Sequence, residues 1–270
     1  MQLLKPFRIL LIGDNCKDEY QFGTVERISP EAPVPVFNFN RTMARPGMAG
    51  NVEANLKALG CEVDFLRTQQ GTKIRLIDER SFYHIVRIDH DINCEPVHVD
   101  PTKTDYDAVV ISDYNKGTVT YETIDLVQNN FTCPIFIDTK KTDAKRFSKC
   151  FLKINETEFE NLTSYTGQMI ITKGDKPVEY NNNGTIKFYE VPHIGVHDVC
   201  GAGDTFLAAL AYGYLSFNNM GEAIELAVKA SQITLQYLGT HAPSIEEILA
   251  NKKSSLDRKS TRLNSSHRCI

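Results

Sequence analysis

Short apolar runs, each too brief for a helix of useful length, recur along the chain. They are RILLIG (8–13), VDFLR (63–67), DAVVIS (107–112), CPIFID (133–138), FLKIN (151–155) and MIITKG (169–174). Several lack polar alternation, as strands of a parallel sheet covered on both faces should. Segments with helical spacing lie between and after them. NVEANLKAL (51–59) is closed by Gly60, YETIDLVQN covers 121–129, and two longer stretches fall near 203–217 and 220–238, the second closed by Gly239. Ser244 and Glu247 read as a capping box for a last short helix. This alternation predicts an α/β fold built on a doubly wound, mostly parallel sheet with helices on both faces.

Two segments break the alternation. YQFGTVERISPEAPVPVFNFN (20–40) is β-rich with a proline-marked middle, and KIRLIDERSFYHIVRI (73–88) reads as a hairpin turning near Glu79–Arg80. Together they predict a small projecting β-sheet, taken from about 15–46 and 73–90. Its residues Phe22, Val36, Phe37, Phe39, Phe82 and Ile85 would leave an exposed apolar patch unless substrate or another subunit meets one face. A homodimer through this sheet is therefore a candidate assembly.

Composition removes several classes of function. The net charge of −4 gives no global basic field for nucleic acid or an anionic membrane, so any phosphate site must be local. No apolar stretch is long enough to span a bilayer, and no separate leader precedes the first strand. The seven cysteines are scattered with no C-x-x-C pair, which fits reduced thiols and a cytoplasmic protein. No H-E-x-x-H is present for a zinc hydrolase, and IGDNCKD stands where a dinucleotide-binding fold would carry G-x-G-x-x-G. One domain is expected over 1–250. The polar, Ser-rich, basic tail at 251–270 is expected to be disordered and reads as foreign to the domain.

The stretch DVCGAGDTF (198–206) carries the most chemistry. Gly201 and Gly203 let successive backbone N–H groups point into one concavity, and the helix that follows adds its positive dipole end. Asp204 then stands beside any bound anion, where it would take a proton from a hydroxyl attacking a phosphate. By itself, G-x-G-D more often marks a plain helix start with an acidic first turn.

The surrounding motifs resemble, in order, those of the ribokinase-like (phosphofructokinase-B type) carbohydrate kinases. LLIGDNCKDEY (10–20), RPGMAGNVEANLKALG (45–60), NETE (155–158), ITKG (171–174) and LGTHAP (238–243) join DVCGAGDTF in that order. RISPEAPVPVF (27–37), ARPG (44–47) and ISDYNKG (111–117) further resemble the kinase half of the bifunctional heptose-7-phosphate kinase/adenylyltransferases. The likeness covers roughly 8–245. It implies a ribokinase-like sheet with a β-lid, ATP and Mg²⁺ as cofactors with room for a monovalent cation, and a small-molecule sugar phosphate as substrate. By residue, it implies Asp204 as general base and Gly201, Ala202 and Gly203 as an anion hole. Asn155 and Glu158 would hold Mg²⁺ and the ATP phosphates through water, with no direct metal ligand. Lys173 and Gly174 would lie along the nucleotide. Asp14, Asp18, Gly47 and Asn51 would bind sugar hydroxyls, and Asp113, Tyr114 and Lys116 would line the substrate side.

Plainer roles stand beside these. Asp14 fits a turn, Lys116 a solvated charge, Asn155 a cap for a helix at 156–162, and Cys200 a small turn residue. Lys116, Arg27 or Arg45 would suit a substrate phosphate, while the two arginines also fit pairing with lid carboxylates.

The chain departs from the family pattern in three places. Met48 stands where a second glycine is expected, VDFLRTQQG runs directly into the lid hairpin without a further strand–helix unit, and a helix between ETEFENL and QMIITKG is missing. No H-x-G-H occurs, so nucleotidyl transfer is not expected of this chain. The expectation is a sugar-phosphate kinase acting on the anomeric hydroxyl of heptose 7-phosphate. The alternatives are another ribokinase- or fructokinase-type kinase and a trimmed, non-catalytic homologue.

Overall fold

The computed structural model describes residues 5–250. The tail expected to be disordered, 251–270, lies outside them. An eight-stranded sheet runs in the order β12-β11-β10-β9-β8-β7-β1-β4. Its strands are β1 (Arg8–Gly13), β4 (Glu62–Leu66), β7 (Ala108–Asp113), β8 (Ile135–Thr139), β9 (Phe151–Asn155), β10 (Gln168–Lys173), β11 (Lys176–Asn182) and β12 (Thr185–Tyr189). From β4 to β10 every pairing is parallel, and β10-β11-β12 close the far edge as an antiparallel meander. The six apolar runs are the six parallel strands. The β11–β12 hairpin was not anticipated, although Asn183 and Gly184 at its turn both adopt positive φ, the conformation that Asn-Gly favours in tight hairpins.

Both faces are covered. Against one lie α1 (Ala49–Ala58), α4 (Ala202–Phe217) and α5 (Met220–Thr234), whose apolar sides join Ile9, Leu11, Val110 and Phe136 in one core cluster. Against the other lie α2 (Tyr121–Asn130) and a 3₁₀ turn at Ala144–Phe147, packed on Leu10, Ile12, Ile111 and Ile137. Even and odd positions of β1 thus enter different clusters, as a strand buried on both faces requires. The helix expected over 220–238 ends at Thr234, and Gly239 takes its positive φ in the loop beyond. The capping box at Ser244 and Glu247 forms, with both reciprocal bonds made.

The lid is a four-stranded sheet ordered β3-β2-β5-β6, from β2 (Asn15–Ile28), β3 (Pro35–Met48), β5 (Gln70–Asp78) and β6 (His84–His90). Its inner face buries Tyr20, Phe22 and Ile77 against Met43 and against Leu238 of the body. Phe22 was expected in the exposed patch. It is buried because it alternates with Tyr20 on the face that meets the body, where the Arg41 guanidinium also covers its ring at 3.9 Å.

At two of the places where the sequence departs from the family pattern, the connections are short. β4 is the sheet edge, and the chain passes from it straight into β5 of the lid. Between β9 and β10 only the five-residue α3 (Glu156–Glu160) remains, shorter than the expected 156–162.

Candidate active site

The chain order reverses at β1. It goes to β4 on one side and returns to β7 on the other, so a crevice opens at the carboxyl ends of β1 and β7, the usual ligand position in such sheets. Asp14 follows β1 and is completely buried. Its Oδ2 accepts the backbone N–H groups of Tyr114 and Lys116 at 2.8 and 3.0 Å, and its Oδ1 that of Thr118 at 3.2 Å. Three backbone donors thus fix the 114–118 loop to the first strand. In this arrangement Asp14 organises the substrate side and does not project into it, closer to the turn role than to sugar binding.

Asp113 likewise turns away from the crevice. Its carboxylate accepts from Asn115 N at 2.9 Å, from the Thr139 hydroxyl and from Lys141 Nζ at 2.8 Å. It is spent on the neighbouring loops.

Asp204 lies in the first turn of α4 and is 7% exposed. Tyr114 donates its phenol hydroxyl to Oδ1 at 2.7 Å, and Asn51 donates its amide to Oδ2 at 3.0 Å. Asn55, one turn along α1, donates to the Asn51 carbonyl at 2.8 Å and to its Oδ1 at 3.2 Å, which orients that amide. Burial pushes the Asp204 carboxyl up to about 6, against the lowering effect of the Asn51 and Tyr114 hydrogen bonds; Asp138 raises it further and Lys153 opposes. A carboxylate with midpoint near 6 is mostly ionised at neutral pH yet a better proton acceptor than an exposed aspartate.

Gly201 precedes α4 at φ 79°, ψ −2°, a left-handed conformation that needs glycine. A Cβ there would also stand 2.6 Å from Asn51 Nδ2. Gly203, expected to share this turn geometry, sits inside the helix without positive φ. What constrains it is Lys153, whose Nζ would lie 3.1 Å from a Cβ at that position.

Lys153 went unnoticed in the sequence. It is a lysine in the middle of a buried strand, 4% exposed, paired with Asp138 Oδ2 of β8 at 2.6 Å. Burial disfavours its ammonium, but Asp138 outweighs this and holds its proton affinity above the ordinary value. The signal was present, because a charge inside FLKIN has to find a partner and a reason to be buried. Lys153 thus places a cation beside the N-terminus of α4, where backbone N–H groups already favour an anion.

The nucleotide-side residues separate. Gly174, at φ 64°, lines a cleft of about 400 Å³ with Val191, Val199, Phe206 and Leu235, which reaches Ala202 and Gly203. Lys173 does not line it. Strand alternation turns its side chain to Glu179 Oε2 at 2.7 Å, within the β10–β11 hairpin. Asn155 and Glu158 form a reciprocal capping box at the start of α3, and Glu158 is also ion-paired to Lys140. The capping role is realised.

On the lid side, Asp18 pairs with Arg75, both nearly inaccessible. Gly47 is required beside them, since a Cβ would stand 2.4 Å from Asp18 Oδ2. Lys116 pairs with Asp91 at 2.7 Å and, with Lys73 and Met48, lines a narrow crevice between lid and body. Arg27 and Arg45 make no ion pair among the described residues, so pairing with lid carboxylates is not their role. Met48 has φ 54° and ψ −135°, outside the regions L-residues favour, which explains why a glycine is expected there. Cys200 is a turn residue. Burial and the Asp198 carboxylate push its thiol up to about 11, so it is not a nucleophile at neutral pH.

This arrangement pairs a buried carboxylate at a helix mouth with a nucleotide-sized cleft and a buried cation, and it matches a known family. Residues 51–248 match the pfkB family carbohydrate kinases, and the chain belongs to that family: it is a carbohydrate kinase, a phosphotransferase with an alcohol acceptor. Among curated proteins it is 30% identical to the bifunctional protein HldE of Nitratiruptor sp., over 91% of this chain and 64% of that one. It is 29% identical to HldE of Campylobacter jejuni, over 94% of this chain and 66% of that one. The first of these alignments runs over 299 positions, more than the 270 residues of the chain, so this relative carries segments the present chain lacks. The chain spans less than two thirds of that relative's length. Its fold resembles ribokinase of Thermotoga maritima, with 17% identity, TM-score 0.71, and coverage of 92% and 99% of the two chains. It also resembles Arabidopsis thaliana ribokinase complexed with ribose and ATP, with 15% identity, TM-score 0.69, and coverage of 91% and 98%.

Proposed function

We propose that this carbohydrate kinase transfers the γ-phosphoryl group of ATP to the anomeric hydroxyl of heptose 7-phosphate, in the cytoplasm, for nucleotide-heptose and lipopolysaccharide core synthesis. The observation that carries the chemistry is the Asp204 carboxylate, held by Asn51 and Tyr114 beside the N-terminus of α4. Asp204 takes the proton of the attacking hydroxyl. The backbone N–H groups after Gly201 and the Lys153 ammonium meet the negative charge of the phosphoryl group in transfer. The apolar cleft takes the nucleoside, with its phosphates directed towards Ala202 and Gly203.

The residues present fit Mg²⁺ held largely by phosphates and water. Among the described residues no three His, Cys, Asp or Glu side chains converge as a closed cage. Burial raises the Asp138 carboxyl and Glu158 adds to it, against Lys153, so a cation near the two carboxylates would be favoured. Asn155, Glu158 and Asp138 would hold it through water, and it would neutralise charge on the β- and γ-phosphates.

The acceptor is argued from the HldE relatives and from RISPEAPVPVF and ISDYNKG. Lys73 and Lys116, beside the crevice under the lid, would meet the phosphate the sugar already carries. We also propose that two copies associate through the lid. ATP turnover across a panel of sugars and sugar phosphates tests the substrate. Heptose 7-phosphate is expected to be turned over in preference to ribose or fructose. Preference for an unphosphorylated sugar would favour a ribokinase-type enzyme, and no turnover by folded protein lacking 251–270 would sink the kinase reading.

A further inference from the structure

Tyr114 occupies a position that the phosphoryl-transfer chemistry does not by itself explain. Its hydroxyl donates to the base at 2.7 Å. Two ammonium groups lie over its ring, Lys73 Nζ of the lid strand β5 at 5.7 Å and Lys140 Nζ at 5.5 Å from the ring centre. Lys140 is in turn paired with Glu158 of the nucleotide side. The backbone of Tyr114 is fixed by Asp14, through its N–H at 2.8 Å, and Asn115 takes the positive φ of the turn that follows. A flexible loop residue would need none of these restraints.

We propose that Tyr114 is a positioning residue for the reaction: it clamps one oxygen of Asp204 so that the carboxylate stays ionised and keeps the orientation in which it receives the sugar hydroxyl.

Burial first, then the nearby Asp204 and Asp138 carboxylates, raise the Tyr114 phenol well above its ordinary range, so it keeps its proton and donates to the ionised Asp204 carboxylate. A donor that never ionises lowers the proton affinity of the carboxylate that accepts from it. The other charged or titratable groups facing this pair are Lys153 from β9, Asp138 from β8, Cys16 from β2, and the lysines Lys73 and Lys140. Asn51 holds the second oxygen with a neutral amide. Among the groups bonded directly to Asp204, Tyr114 is therefore the one that also touches lid and nucleotide-side cations. Cation–π contact with both keeps its ring in place.

The proposal rests on the kinase reading, but its test does not need the substrate. Asp204 is titrated by ¹³C-carboxylate NMR in the unliganded full chain, with its resonance assigned by its loss in Asp204→Asn. In Tyr114→Phe the midpoint is expected to move up by about one unit, the size of one hydrogen bond to a charged group. 3-Fluorotyrosine placed at 114, a stronger donor, is expected to move it down. Where turnover is measurable, the acid limb of kcat/KM should follow the same shifts, with the Tyr114→Phe loss about fivefold larger at pH 6 than at pH 9. A midpoint unmoved in both variants would overturn the proposal, as would a Tyr114→Phe loss equal at every pH. If the Phe variant fails to fold, the fluorotyrosine shift decides. Failure of every sugar in the turnover panel would sink the kinase reading and leave the titration result standing.

Discussion

At the scale of single residues, Asp204, the proposed base, is a carboxylate whose burial costs stability. Folding raises its proton affinity, so between about pH 4 and pH 6 the native chain holds a proton that the unfolded chain has released. Stability from this group is therefore highest below about pH 4, falls as pH rises to about 6, and stays reduced above. The shift from 3.8 to about 6 corresponds to about 2–3 kcal/mol. Asp204→Asn removes the charge and keeps the shape. It is expected to raise Tm at pH 7–8 and to leave it nearly unchanged at pH 4, while kcat falls by about 10²–10⁴ and nucleotide affinity survives. Calorimetry at the two pH values beside steady-state kinetics checks both halves. A near wild-type kcat would reduce Asp204 to a helix-start residue. Met48 is the second such case. Its backbone conformation costs about 1–3 kcal/mol, while its buried side chain returns about 1.5–3 kcal/mol. Met48→Gly is therefore expected to change stability by less than about 1 kcal/mol and to widen the crevice beside Lys73 and Lys116. The measurement is a denaturant melt with a sugar-phosphate KM. A large loss of stability would mean that the strain had been overestimated.

Among the elements, α4 concentrates the proposed site because its first turn brings free backbone N–H groups and Asp204 together. Gly201 and Gly203 are distinguishable there. Gly201→Ala forces a Cβ into the left-handed region and against Asn51, and should lower both stability and turnover, by about 1–2 kcal/mol in the melt. Gly203→Ala meets only the tip of Lys153, which must give by a few tenths of an ångström. It should leave stability within about 0.5 kcal/mol and act mainly on kcat. Equal losses in the two variants would show that the turn, and not the approach of Lys153, controls position 203. The strands carrying these elements were readable in sequence because buried parallel strands are continuous apolar words, and the helices because glycine and capping residues punctuate them. The proposed base and anion hole stand out for the same reason, as glycines followed by an acid at a helix start. Lys153 showed only as a charge inside an apolar run, and its partner Asp138 comes from a neighbouring strand that sequence spacing does not bring close, whereas Asn55 stands one helical turn from Asn51 and was within reach of the spacing. Lys173 and Asp113 were misplaced for a related reason: which face a strand-end side chain takes is decided by the sheet, through Glu179 in one case and Lys141 in the other.

On the scale of the whole molecule, the body closes its core although it lacks segments that its Nitratiruptor relative carries, because apolar clusters form on both faces of the sheet. The lid does not close in the same way. Its register pairs Ile74 with Ile88 and Leu76 with Val86, so four aliphatic side chains form a block on the face opposite Lys73, Arg75 and Ile77. Val86 and Ile88 of that block are 46% and 41% exposed, at the free edge of the lid sheet. The inner face is already occupied by Leu238 and the site, and among the described residues the outer block joins no core cluster. A second copy presents the same block, and a two-fold contact of this kind is self-complementary. The chain is therefore expected to sediment as a dimer at micromolar concentration. Ile88→Lys is expected to shift it to monomer by placing an unpaired charge in the contact. Because residue 88 lies on the outer face, the Asp204 titration should stay where it is, which separates loss of assembly from damage to the site. A wild-type chain that remains strictly monomeric at high concentration would remove the interface and leave the lid's role over the crevice intact.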